Sequence, residues 1–169
     1  MTSNFDFLKP DFPKLYDHAT QAESLVYSAP RASCFYSRFT LEQAVLWLYQ
    51  QDSSLQIPDD HSLGALIHER TFKDNLAPNI FPKISLIQKV GNIAVHQQTK
   101  IGESDSLHIL KELFHFLYWL CRNYSAKGNT LNQQAFRGQL TKRKKSYVSA
   151  TAKVWSLYVV KLLETWMSS

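Results

Sequence analysis

The chain has 169 residues, 44% hydrophobic and 20% charged, with only 5 Gly and 6 Pro. A chain of this length buries ~70% of its unfolded surface, and this composition excludes extensive disorder and collagen-like or low-complexity architecture. The net charge of +5 is uneven: residues 1–125 carry 11 Lys/Arg against 13 Asp/Glu, and residues 126–169 carry 8 against the single acid Glu164.

Two cysteines, Cys34 and Cys121, make neither a disulfide framework nor a zinc site by themselves, which fits a reduced, cytoplasmic setting. No run reaches the ~20 apolar residues of a membrane span. Leu113–Cys121 is too short, and Val154–Leu163 contains Lys161. Met1–Pro13 lacks the basic start and apolar core of a signal peptide.

The apolar pattern is helical from end to end, so the expected fold is all-α. Phe12, Leu15, Ala19, Ala22, Val26 and Ala29 predict a first helix over 12–29, closed by Pro30. A second is expected over 32–50, with Phe35, Phe39, Val45, Leu46, Leu48 and Tyr49 as its apolar set. Asp60 or Ser62 is placed to cap a short third helix containing Leu63, Leu66 and Ile67. A loop follows over 71–79, then a fourth helix over 80–96. After a turn at Gly102, Ser104 or Asp105 opens a fifth helix reaching Tyr124. That helix is apolar on several sides, as a central helix is. Its aromatic cluster, Phe114, Phe116, Tyr118 and Trp119, reads as core.

Residues 125–130 mark a boundary, giving a five-helix body over 1–125 and a basic connector with an amphipathic last helix over 126–169. The connector is centred on Lys142, Arg143, Lys144 and Lys145, a patch suited to phosphate backbones. The last helix is expected over 146–167, with Val148, Trp155, Val159 and Trp166 on its apolar side.

The sequence contains no phosphate-cradling Gly-rich loop and no nucleophile elbow. His61 and His68, like His108 and His115, are seven residues apart, two helical turns, too far for one ion to bridge. Neither a metal nor another cofactor is expected.

The distinctive stretch is Gln88–His96. Helical spacing puts Ser85, Lys89, Asn92 and His96 on one polar stripe and Ile80, Ile84, Ile87, Gly91, Ala94 and Val95 on the apolar face. A mid-helix glycine on that face costs ~1 kcal/mol relative to alanine. A neighbouring helix passing too close for a Cβ would offset the cost. Arg38 and Glu42 are spaced to pair along the second helix.

Gly91-Asn92-Ile93-Ala94-Val95-His96 resembles the GN-x-A-x-H signature of the HEPN-like helical family found at the N-terminus of type I restriction enzyme R subunits and related helicases. Asn4–Leu8, Ala22-Glu23, Arg38 with Glu42, Leu63–Ile67 and Phe72–Asp74 resemble other segments of that family, so the likeness covers roughly residues 4–124. It implies an all-α bundle within a DNA-processing assembly. The implied partners are other restriction subunits or downstream helicase and nuclease domains, with DNA or RNA and a second copy of the chain as further candidates.

Ribonuclease members of the wider superfamily use an Arg followed, after four to six residues, by a His, paired across a dimer. In this sequence Gly91 stands where that Arg would be, and Gln88 replaces an Arg of many R-subunit relatives. Lys89 precedes His96 by six residues, but an ammonium is a point charge and not a bidentate fork. The expectation is therefore a non-catalytic assembly domain in which Gly91, Asn92, His96, Arg38 and Glu42 serve local bonding or partner contact. The alternative is a metal-independent ribonuclease using His96, with Lys89 on the phosphate and Asn92 as an orienting residue.

Overall fold

The computed structural model describes residues 2–126 and 136–138. Within them the chain forms a short 3₁₀ turn, Asp6–Leu8, and six helices: α1 Pro13–Leu25, α2 Pro30–Gln51, α3 Leu63–His68, α4 Arg70–Asn75, α5 Ile80–His96 and α6 Glu103–Tyr124. No strand occurs among the described residues, so the all-α expectation holds. The basic run Lys142–Lys145 and the expected last helix lie outside the described residues.

Local chemistry sets the helix starts. Pro13 and Pro30 sit at the first positions of α1 and α2, where a missing N–H costs nothing. Pro30 thus opens the second helix, and α1 has already ended at Leu25. Ser62 caps α3 by accepting the Ala65 N–H at 3.3 Å, and Asp60 in turn accepts the Ser62 N–H at 2.8 Å. The Gly102 N–H donates to the Asp105 carboxylate at 2.8 Å, so α6 begins at Glu103 with Asp105 as the capping partner one turn in.

The expected loop over 71–79 is corrected in part: Arg70–Asn75 is helical. Glu69 makes the difference, because its carboxylate accepts the Phe72 N–H at 3.1 Å and caps a second short helix directly after α3. Phe72 is thereby driven into the core, stacked on Tyr49 with centroids 5.6 Å apart. Hydrogen bonding, first from Thr71, holds the Glu69 carboxyl below the usual range.

α2 and α6 are the central helices. α2 packs on α1, α5 and α6, and α6 packs on α2, α5 and the 3₁₀ turn. The buried side of α2 is not the large-aromatic face: Phe35 and Phe39 are half-buried and Leu46 is exposed. It consists of Ser33, Cys34, Ser37, Thr40, Leu41, Ala44, Val45 and Leu48. Small residues let the neighbouring helices approach, and their hydroxyls are satisfied by carbonyls: Ser33 donates to Ala22 at 2.8 Å, Ser37 to Ser33 at 2.9 Å and Thr40 to Tyr36 at 2.7 Å. α6 buries Ile109, Leu110, Leu113, Phe114, Phe116, Leu117 and Leu120, apolar over most of its circumference as expected. Among the described residues, Phe5, Phe72, Phe114 and Phe116 are the largest fully enclosed side chains, each contributing ~2–3 kcal/mol of burial.

The aromatic cluster on α6 divides. Phe114 and Phe116 are core, whereas Tyr118 and Trp119 are only half-buried. No helix among the described residues is long and apolar enough to cross a membrane.

Candidate functional site

The motif helix α5 crosses α2 at Gly91. A Cβ on Gly91 would lie 2.3 Å from Arg38 Cβ, 2.6 Å from its Cδ and 2.8 Å from its Cγ. The closest atom belongs to the root of the side chain, which cannot swing aside. The glycine is therefore the notch that admits Arg38, the close approach expected from its helical cost.

The arginine is fixed as well as admitted. Its Nε donates to Asn92 Oδ1 at 2.8 Å, and its Nη1 donates to Glu42 Oε2 at 3.1 Å. The Arg38 and Glu42 side chains are only 22% and 17% exposed, so the pair is better shielded than an ordinary surface ion pair. Four of the expected site residues thus form one unit: Gly91 makes room, and Asn92 and Glu42 hold Arg38.

Lys89 and His96 do not join that unit. Both are exposed, and neither makes a hydrogen bond, ion pair or ring contact among the described residues. Asn92 spends its carbonyl oxygen on Arg38.

Arg31 is a site residue that the sequence reading missed. From the first turn of α2 its Nη1 donates to the carbonyls of Ile93 at 3.2 Å, Ala94 at 2.8 Å and Gln97 at 2.8 Å, and its Nη2 donates to Thr99. One guanidinium thus closes the C-terminal end of α5, where unpaired carbonyls and the helix dipole favour a cation. The signal in the sequence is faint: a cation in the first turn of its own helix opposes that helix's dipole, so it is better placed to serve another.

The N-terminal segment is tied down in the same manner. Asn4, 6% exposed, donates through Nδ2 to Glu23 Oε1 at 2.6 Å, and its Oδ1 accepts the Arg137 N–H at 2.8 Å. Ser3 also donates to Glu23.

A second polar cluster lies between α5 and α6. Glu112, 8% exposed, accepts from Lys83 Nζ at 2.8 Å, and His108 Nε2 lies 3.4 Å from its other oxygen. His115 Nδ1 is 4.0 Å from Glu112, beyond hydrogen-bond reach. Burial, reinforced by Lys83, pushes the His115 pKa down.

Among the described residues no three His, Cys, Asp or Glu side chains are grouped to hold a metal ion. Both cysteines are buried thiols: desolvation raises Cys34 to about 12 and shifts Cys121 upward. Neither is activated as a nucleophile.

No curated protein and no solved structure matches the chain. One family does, over residues 20–147, a stretch that starts within α1 and runs beyond α6 through the basic run. The chain belongs to this family, whose description is Domain of unknown function (DUF4145).

Proposed function

We propose that the chain is a non-catalytic, HEPN-like interaction and assembly domain of a cytoplasmic DNA-processing protein resembling the R subunit of a type I restriction enzyme. Its partners would be other restriction subunits or attached helicase and nuclease domains, and a second copy of the chain is a further candidate. The basic segment Lys142, Arg143, Lys144 and Lys145 would assist by holding nucleic acid.

One observation supports this above the others: the guanidinium nearest the motif is already engaged. Arg38 is bonded to Asn92 and Glu42, and Arg31 is engaged with four carbonyls. Transition-state stabilisation on phosphate needs an available cation aimed at the developing charge. Within the motif, Gly91 and Asn92 are committed to joining α2 to α5, which makes a rigid platform, while Lys89 and His96 stay exposed beside it.

The test is anisotropy of a labelled DNA duplex across a salt series, using the full chain and a variant with Lys142→Gln, Arg143→Gln, Lys144→Gln and Lys145→Gln. Wild-type binding is expected to weaken with salt, and the variant to lose up to about 3.6 from the log–log slope, ~0.9 for each of the four cations. A flat response in both chains removes the nucleic-acid part. The ribonuclease alternative has its own assay, RNA cleavage in EDTA. Cleavage by the wild type that disappears in His96→Ala would overturn the non-catalytic assignment.

A further inference from the structure

The groove beside the Glu112 cluster has a composition that neither the motif nor the core requires. It is an open cleft of about 590 Å³ between the start of α5 and the C-terminal half of α6. Its walls include Lys83, His115, Arg122, Asn123, Tyr118 and Trp119, and among the described residues no carboxylate lines it. The volume falls within the usual range for small-ligand sites.

Lys83, Arg122 and His115 have bonding capacity to spare. Lys83 is oriented by Glu112 at 2.8 Å, and an ammonium carries three donors, so the same group can bridge to a bound anion. Arg122 makes no ion pair or hydrogen bond among the described residues. His115 Nδ1 is shielded from solvent without a hydrogen-bond partner there. Tyr118 and Trp119, half-buried, supply ring surface on the same wall. Guanidinium and ammonium together suit a phosphate, and an indole beside them suits a flat heterocycle, as on single-strand stacking platforms.

We infer that this groove binds a nucleotide, a phosphate-bearing aromatic heterocycle, either free or as the end of a single strand. Arg122 and Lys83 would take the phosphate, and Trp119 and Tyr118 the base. The site is separate from the Lys142–Lys145 run and stands independently of the assembly proposal.

The experiment is calorimetric titration of the full chain carrying the four glutamine substitutions at 142–145, so that the basic run contributes nothing. The probes are adenosine 5′-monophosphate, adenosine, inorganic phosphate and a 5′-phosphorylated hexa-deoxyadenylate. Saturable binding of the monophosphate is expected, about tenfold or more tighter than adenosine or phosphate alone. Arg122→Gln, an exposed position whose change spares the fold, is expected to weaken it about tenfold. Trp119→Leu is expected to weaken adenosine and the monophosphate alike while leaving phosphate unaffected. A hexanucleotide binding more tightly than the monophosphate assigns the site to single strands, and equal affinity assigns it to free nucleotides. Absence of saturable binding by both nucleotide probes, or affinity unchanged in Arg122→Gln, overturns the proposal.

Discussion

The α2–α5 crossing and the α5–α6 groove use similar residues in opposite ways. At the crossing, the Arg38 guanidinium, the Asn92 amide and the Glu42 carboxylate find one another inside the protein. In the groove, Arg122 projects without a partner among the described residues, and Lys83, held from behind by the buried Glu112, lines an open cleft. A polar cluster that satisfies itself reads as architecture. One that leaves donors over reads as a place for something else to bind. Gly91 and Asn92 of the motif belong to the first kind, and the groove that no motif announces belongs to the second.

The sharpest way to break this comparison is Gly91→Ala. In an ordinary helix interior the change would stabilise by ~1 kcal/mol. Against Arg38 Cβ at 2.3 Å it must instead push α2 and α5 apart, with an expected loss of about 3 kcal/mol in urea unfolding. A gain in stability would show that the crossing tolerates a side chain and that the notch has no structural purpose.

Next in size is the bond network itself. Arg38→Ala and Asn92→Ala are each expected to cost about 1–2 kcal/mol, with a coupling energy near 1 kcal/mol in the double-mutant cycle. Additive effects would mean that the 2.8 Å contact between the two side chains contributes little to holding the helices.

The smallest expected effect is a pH dependence arising in the groove. The folded His115 pKa lies below its ordinary value of 6.5, chiefly through burial. The folded state therefore binds its proton less readily than the unfolded state does. The associated stability is complete above pH 6.5 and is lost as the pH falls through the folded pKa. His18, desolvated against Phe39, acts in the same direction. Thermal melts of wild type and His115→Gln between pH 7.5 and 5 should diverge, the wild type losing more. Parallel curves would remove His115 from the account.

Much of this was legible from residue spacing. The periodicity of α1, α5 and α6 placed Leu15, Ile84, Ile87 and Leu113 in the core, where the structure has them. The cost of a mid-helix glycine correctly implied a close neighbour. What spacing could not supply was the identity of that neighbour, since Arg38 and Asn92 are 54 residues apart and meet only through the crossing of two helices.

The buried face of α2 was misread for a chemical reason. Ser33, Ser37 and Thr40 look solvent-facing to a hydropathy pattern, yet each hydroxyl is satisfied by a backbone carbonyl. α4 escaped notice because a glutamate caps it in place of the more usual Ser, Thr, Asp or Asn. The groove left no trace because Lys83 and Arg122 lie on helices that only tertiary packing brings together.

The Asn4–Arg137 contact has a mechanical consequence. It joins positions 133 residues apart in sequence through two hydrogen bonds, at 2.8 and 3.2 Å. Tension applied between polypeptide ahead of Asn4 and polypeptide beyond Arg137 would load this clasp before it reached the helices. A motor pulling along that line would spring the latch and leave the bundle whole.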